Sequence, residues 1–157
     1  MAESPHDTPG VLVFPPGLVA GTLGIGLLLQ WLRPWNLPIS ESARILLSAA
    51  LLTAAAALGL WGQRTMHGAG TNIDPGKPAT TIVTSGPFRF TRNPLYLFLL
   101  GLYLGITVAV ATVWPLLFLV PVVLVLHFGV VRREERYLEA KFGKPYRAHT
   151  ARVRRWL

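Results

Sequence analysis

Residues Leu95–Val131, LYLFLLGLYLGITVAVATVWPLLFLVPVVLVLHFGVV, form a stretch of 37 residues without one charged side chain. About 20 apolar residues in a helix cross the hydrocarbon core of a bilayer, so this stretch is too long for one span and suits two. Proline favours a turn or the first position of a helix, and tryptophan favours the membrane interface. The break is therefore expected at Thr112-Val113-Trp114-Pro115, which predicts a tight hairpin of two transmembrane helices.

Two further uncharged stretches, Val11–Leu32 and Ile45–Gly62, precede this hairpin, and each is close to membrane-crossing length. The 157 residues suffice for one domain. Hydrophobic residues make up 52% of them and charged residues 14%, whereas soluble domains carry about 25% charged residues. We therefore expect an all-α polytopic membrane protein, a single domain over residues 1–157, with about four transmembrane helices and a cytoplasmic C-terminal helix.

The basic residues predict the orientation of the chain. Four lie in the loop of residues 63–94 and nine follow Val131, whereas the other connections carry few. The positive-inside rule places this loop, the C-terminus and the N-terminus in the cytoplasm, as expected for a protein of the plasma or inner membrane. The net charge of +8 lies beside apolar stretches, which indicates contacts with the bilayer surface rather than with nucleic acid. The chain has no cysteine, and no metal site is expected.

Residues 11–64 are interpreted as scaffold helices. Gly17 and Gly21 are four residues apart, and Ala54–Ala57 gives the second span a small face, which lets helices approach closely. A cofactor could use the same space, but helix packing is the favoured interpretation. The stretch from His67 to Ser85 is rich in glycine, proline and threonine, which predicts an ordered loop.

Polar residues stand at the start of the hairpin. Asn93 precedes a proline, a pattern typical of a helix N-cap. Arg89 and Arg92 could hold an anion against the free N–H groups of this helix, or could be ordinary interfacial arginines on a capped helix. Tyr96 and Tyr103 share one face of the third span, as an aromatic wall for a flat ring or as packing residues. For each of these two pairs, both interpretations are open.

A second polar cluster follows the hairpin. His127 is the one ionisable residue within a span, and it precedes Glu134 by seven residues, so a continuous α-helix would place both on one face. Glu134 and Glu135 lie just beyond the hydrocarbon, where carboxylates are costly unless they meet hydrogen-bond donors or positive charge. A ligand with hydroxyl or ammonium groups would supply both. The alternative is a solvated helix with internal Arg–Glu pairs that ends at Gly143.

Five short motifs follow one another across the hairpin: Gly86-Pro87-Phe88-Arg89, Arg92-Asn93-Pro94-Leu95-Tyr96, Glu134-Glu135, Phe142-Gly143-Lys144-Pro145-Tyr146 and Arg152-Val153. Their order and spacing over residues 80–157 resemble the isoprenylcysteine carboxyl methyltransferase and phospholipid methyltransferase superfamily. Two positions depart from the family pattern. Asn93 replaces a histidine, and Phe98 stands where many members have glycine.

The resemblance implies methyl transfer that depends on S-adenosylmethionine, to a lipophilic or membrane-associated carboxylate or amine at the cytoplasmic membrane face. It also implies that residues 80–157 bind this cofactor. The cofactor contacts carried over by position are Arg92, Asn93, Tyr96, Glu134 and Glu135. We add Tyr146 as a further cofactor contact, and His127 and Arg89 as candidate catalytic residues.

Two other functions remain open. Membrane sterol reductases are similar in this region and bind NADPH, but they need basic contacts for a 2′-phosphate and are usually much longer. A non-catalytic membrane interaction protein would keep the scaffold, and the departures at Asn93 and Phe98 are the support for this alternative. The expected partners are the bilayer and a lipophilic or lipid-modified substrate, and the sequence leaves the oligomeric state open.

Overall fold

The structure, a computed structural model, describes residues 7–157, so the expected side of the extreme N-terminus lies outside the described residues. Within this range there is no β-strand, and one isolated bridge joins Asn36 to Thr112. The α-helices are α1 (Pro15–Leu32), α2 (Glu41–Gly68), α3 (Pro94–Val110), α4 (Trp114–Leu126), α5 (Arg132–Phe142) and α6 (Lys144–Thr150). The predicted all-helical class is confirmed.

Three helices among the described residues are long and apolar enough to cross a membrane. They are α1, α2 and the continuous helix Trp114–Phe142 that contains α4 and α5. α3 is a shorter apolar helix of 17 residues. The membrane character is therefore confirmed, while the number of four spans stays a prediction.

The hairpin of α3 and α4 turns at the predicted place. α3 ends at Val110, Ala111 adopts a left-handed conformation with φ 52°, and α4 begins at Trp114. The Tyr103 hydroxyl donates a hydrogen bond of 2.7 Å to the Pro115 carbonyl. Tyr103 is fully buried, so it is a packing residue that ties the two helices together.

Helix α3 lies at the centre and contacts α1, α2 and α4. Its contact with α2 uses small residues on both helices. A β-carbon added to Gly59 would lie 2.7 Å from the Phe98 ring, and one added to Gly101 would lie 2.8 Å from the Ala55 β-carbon. The predicted small face of α2 therefore does serve close packing, at Ala55.

The small residues of α1 behave differently from the prediction. Gly21 is exposed, and a β-carbon added there would have no neighbour within 4 Å. The expected packing role of the Gly17 and Gly21 pair is wrong at Gly21. Gly26 takes that role, because a β-carbon there would lie 2.7 Å from the Pro115 ring of α4.

A π-helical turn interrupts the last membrane helix. Residues His127–Val131 form this turn between α4 and α5. Hydrogen bonds of the i→i+5 type widen the turn, so the side chains after it are rotated relative to those of a regular α-helix. The seven-residue spacing that would align His127 with Glu134 assumed 3.6 residues per turn. The π-turn thus changes which residues share a face.

Candidate active site

A cavity of about 500 Å³ lies between the start of α3, the C-terminal end of α2 and the beginning of α5. Its walls also include residues 9–16 before and at the start of α1, loop residues 71–83, and α6. Pockets of about 300–1,000 Å³ accommodate small molecules and cofactors. The size is thus suitable for a ligand of that class.

The cavity collects most of the residues that the sequence singled out. All the predicted cofactor contacts line it: Arg92, Asn93, Tyr96, Glu134, Glu135 and Tyr146. The two candidate catalytic residues do not. Arg89 is exposed and lines a separate groove, and the ring of His127 stacks 6.2 Å from the ring of Trp156. The structure therefore separates His127 from Glu134, because the π-turn lies between them.

Glu135 is fully engaged by two arginines. Arg92 Nη1 lies 3.0 Å from Glu135 Oε1, and Arg155 donates from Nε and Nη2 at 2.9 and 2.7 Å. These ion pairs join α5 to the start of α3 and to the C-terminal residues. The alternative of Arg–Glu pairs within one solvated helix does not describe Glu135, whose partners both lie outside α5.

Glu134 has a different environment from its neighbour. The Tyr96 hydroxyl donates a hydrogen bond of 2.8 Å to Glu134 Oε2. No basic side chain among residues 7–157 forms an ion pair with Glu134. A carboxylate at a cavity wall without a cation nearby is well placed for a positively charged group or hydroxyl groups of a ligand.

Arg92 lines the cavity and has one donor without a partner among the described residues. Its Nη1 pairs with Glu135, but its buried Nε has no hydrogen-bond partner among the described residues. Buried donors are rarely left unsatisfied, so the guanidinium of Arg92 is a candidate donor for an acceptor group of a ligand. Arg92 and Glu134 thus offer a donor for an anionic group and an acceptor for a cationic one. This donor set fits the carboxylate and amino group of an amino-acid moiety such as that of S-adenosylmethionine.

Asn93 has a structural partner instead of a helix-capping contact. Asn93 is the N-cap residue of α3, as predicted, but its side chain forms no capping hydrogen bond. Asn93 Nδ2 donates to the Arg155 carbonyl at 2.8 Å, and Thr91 Oγ1 donates to the same oxygen at 3.3 Å. The backbone N–H of Arg92 donates to the Arg154 carbonyl at 3.0 Å. The C-terminal residues therefore close over the start of α3.

Helix α6 supplies Tyr146 and His149 to the same wall. Burial raises the pKa of Tyr146 to about 12, and the negative charge of Glu135 adds to this rise. Burial and then the positive charge of Arg92 lower the pKa of His149. Both side chains are consequently neutral near pH 7. Sequence reasoning missed His149, although its spacing of three residues from Tyr146 places both on one helical face.

The remaining walls are largely apolar. Phe88, Leu95, Phe98 and Leu99 line the side of the cavity near α3. Phe98 also packs against Gly59, so its ring closes the space between α2 and α3. Phe98, which stands where many family members have glycine, thus forms the cavity wall on this side.

Two segments that the sequence did not assign to the site also line it. Tyr137 connects them: its hydroxyl donates to Asp7 Oδ1 at 2.8 Å and accepts from the Ala79 N–H at 3.1 Å. Lys141 forms an ion pair of 2.7 Å with Asp7. These contacts hold the residues before α1 and the 71–83 loop against α5. Their only sequence signal was the polar character of both segments between apolar stretches.

Comparisons with known proteins identify the family of the chain. The model of the family described as phospholipid methyltransferase matches residues 43–145, more than half of the chain. The chain is also 40% identical over 63 residues to an uncharacterized protein of Haemophilus influenzae, which covers 40% of this chain and 100% of that protein. No solved structure matches the chain. With its apolar helices, its ordered motifs and this match, the chain belongs to the phospholipid methyltransferase family, which indicates a membrane methyltransferase.

Proposed function

We propose that the protein transfers a methyl group from S-adenosylmethionine to a lipophilic acceptor at the cytoplasmic face of the membrane. The observation that carries this proposal is that Arg92 and Glu134 line the same cavity. Arg92 has an unpartnered buried Nε, and Glu134 has no basic partner among the described residues. A zwitterionic amino-acid group satisfies both.

Some residues of the site contact the cofactor, and others position the residues that contact it. Arg92 binds the methionine carboxylate, and Glu134 binds the amino group or the ribose hydroxyls. Tyr96 donates to Glu134 and so fixes its rotamer. Glu135 positions Arg92 through the 3.0 Å ion pair. Tyr146 closes the wall near α6.

The cofactor supplies an electrophilic methyl group on a sulfonium. Methyl transfer is an in-line displacement, so the chain contributes mainly positioning and the exclusion of water. The apolar side chains of Phe88, Leu95 and Phe98 provide a dry wall for the acceptor. A carboxylate acceptor needs no general base. A protonated amine must first lose a proton, and Glu134 and His149 are two of the cavity-lining groups able to accept it.

This site would lie at the cytoplasmic membrane face, since the loop before α3 and the C-terminal segment carry most of the basic residues. α1, α2, α3 and the Trp114–Phe142 helix would all cross the bilayer, with α3 as the shortest span. The soluble cofactor would enter from the cytoplasm and the acceptor from the bilayer.

Isothermal titration of the purified protein in detergent tests the proposed cofactor. S-adenosylhomocysteine should bind to one saturable site, with a dissociation constant of about 1 μM to 1 mM. NADPH, titrated separately, should give no saturable binding. Saturable binding of NADPH alone would support the reductase alternative, and binding of neither compound would support a non-catalytic membrane protein. Either result would overturn the methyltransferase proposal.

A further inference from the structure

A second groove, of about 410 Å³, lies beside the cavity on the surface formed by α6 and the turn before α3. It is lined by Thr84, Arg89, Pro145, Ala148, His149, Arg152 and Val153. None of these residues is acidic. We refer to this site as the basic groove.

The charged residues of the basic groove are its two arginines. Neither Arg89 nor Arg152 forms an ion pair with an acidic side chain in the part of the chain that the structure describes. Both are exposed, so their guanidinium groups are free to bind a ligand. Both arginines line the same groove, and a guanidinium group matches the oxygen atoms of a phosphate, which arginine binds through paired hydrogen bonds.

Exposed aromatic side chains place one edge of the basic groove at the level of the membrane surface. The Arg89 guanidinium lies 5.6 Å from the centre of the Phe90 ring, which is 63% exposed. The Phe90 ring lies 6.3 Å from Trp61 of α2, which is 48% exposed. Exposed aromatic rings at the end of a membrane helix are typical of the interface with lipid headgroups. The arginine next to them therefore lies at headgroup height.

We propose that the basic groove binds the phosphate of an anionic phospholipid headgroup. Arg89 and Arg152 pair with the phosphate oxygens, and the Thr84 hydroxyl is available as a further donor. Pro145 and Ala148 supply an apolar side for the carbon atoms next to the phosphate. The site is distinct from the methyl-transfer cavity, with which it shares only His149. It requires no assumption about the methyl donor.

Native mass spectrometry of the detergent-solubilised full chain tests this proposal with three probes. These are dioleoyl phosphatidylglycerol, dioleoyl phosphatidylcholine and the soluble compound glycerol 3-phosphate. We expect one phosphatidylglycerol molecule to bind in preference to phosphatidylcholine. In the double variant R89Q/R152Q, the affinity for phosphatidylglycerol should fall by about tenfold or more, since both arginines that attract the anionic headgroup are removed.

The matched control is R64Q/R136Q, which removes the same charge from two exposed arginines that line neither cavity nor groove. This control should bind phosphatidylglycerol within about twofold of the unmodified chain, since its groove is intact and exposed charges outside a binding site contribute little. Equal binding of the two lipids, or equal losses in both double variants, would overturn the proposal. Binding of glycerol 3-phosphate as tight as that of phosphatidylglycerol would assign the groove to a soluble phosphate and would also overturn it.

Discussion

Glu134 and Glu135 are adjacent in the chain but have different partners. Glu135 binds Arg92 and Arg155, whereas Glu134 accepts one hydrogen bond from Tyr96 and faces the cavity. The family resemblance predicted that both glutamates contact the cofactor. The contacts favour a division in which Glu134 binds a ligand and Glu135 positions Arg92.

Substitution of each glutamate by glutamine should separate these two roles. Glu135→Gln should lower the free energy of unfolding by about 1.5–3 kcal/mol, because two arginines lose a charged partner. Glu134→Gln can still accept the Tyr96 hydrogen bond, so its stability should change little. Its affinity for S-adenosylhomocysteine should fall about tenfold or more, since a charge-assisted contact is lost. Thermal unfolding measures the stability of each variant, and calorimetric titration measures its affinity for S-adenosylhomocysteine. An unchanged affinity in Glu134→Gln would contradict its proposed role.

His149 should make the stability depend on pH. Burial and the charge of Arg92 lower its pKa in the folded protein, while the unfolded chain retains an ordinary value of about 6.5. As the pH falls through about 6.5, the unfolded chain takes up a proton first, so the free energy of unfolding decreases. Thermal midpoints between pH 7.5 and 5 should therefore fall, and less in His149→Gln. The control His67→Gln, at an exposed position of α2, should keep the full decrease.

At the scale of elements, the C-terminal segment holds residues of the cavity wall in place. Its backbone accepts from Asn93 and Arg92, its Arg155 side chain pairs with Glu135, and Trp156 packs on His127. Together these contacts connect the C-terminus to α3, α5 and the π-turn. The cavity therefore depends on residues that follow the last helix.

Removal of residues 155–157 should open the cavity. Asn93 loses the Arg155 carbonyl as its acceptor, and Glu135 loses one of its two arginines. A neutral hydrogen bond contributes about 0.5–1.5 kcal/mol and one to a charged group about 1.5–3 kcal/mol. We expect a lower thermal midpoint and at least about tenfold weaker binding of S-adenosylhomocysteine. Removal of Leu157 alone, which is 80% exposed, is the control and should leave both quantities unchanged. Unaltered binding in the longer truncation would show that the segment is dispensable.

At the scale of the whole molecule, the proposed orientation puts the site and both polar segments on one side. The chain has no cysteine, so single-cysteine variants can be labelled without background. Lys144→Cys lies at the start of α6 and Pro38→Cys lies in the connection between α1 and α2, and both positions are exposed. A membrane-impermeant maleimide added to intact cells should label Pro38→Cys only. In inverted vesicles it should label Lys144→Cys only, and the reverse pattern would contradict the orientation.

The sequence was sufficient for features that depend on local composition. The apolar stretches predicted the helices, and the Trp114-Pro115 pair predicted the hairpin turn, because hydrocarbon thickness and proline geometry act on neighbouring residues. The order of the motifs identified the family, which the match over residues 43–145 confirms. It also named six residues that do line one cavity.

What the sequence could not decide are the contacts between residues far apart in the chain. Helical periodicity assumes a uniform turn, and the π-turn at His127–Val131 breaks that assumption. Arg155, which contacts both Asn93 and Glu135, lies far from them in the chain. No local sequence pattern therefore reveals that Asn93 holds the C-terminal segment or that the charge of Glu135 is neutralised. The sequence by itself therefore determined a helical membrane protein of the phospholipid methyltransferase family and named most of the residues of its candidate site. Only the tertiary structure decided which carboxylate is free for a ligand, because that depends on which charges the fold brings together.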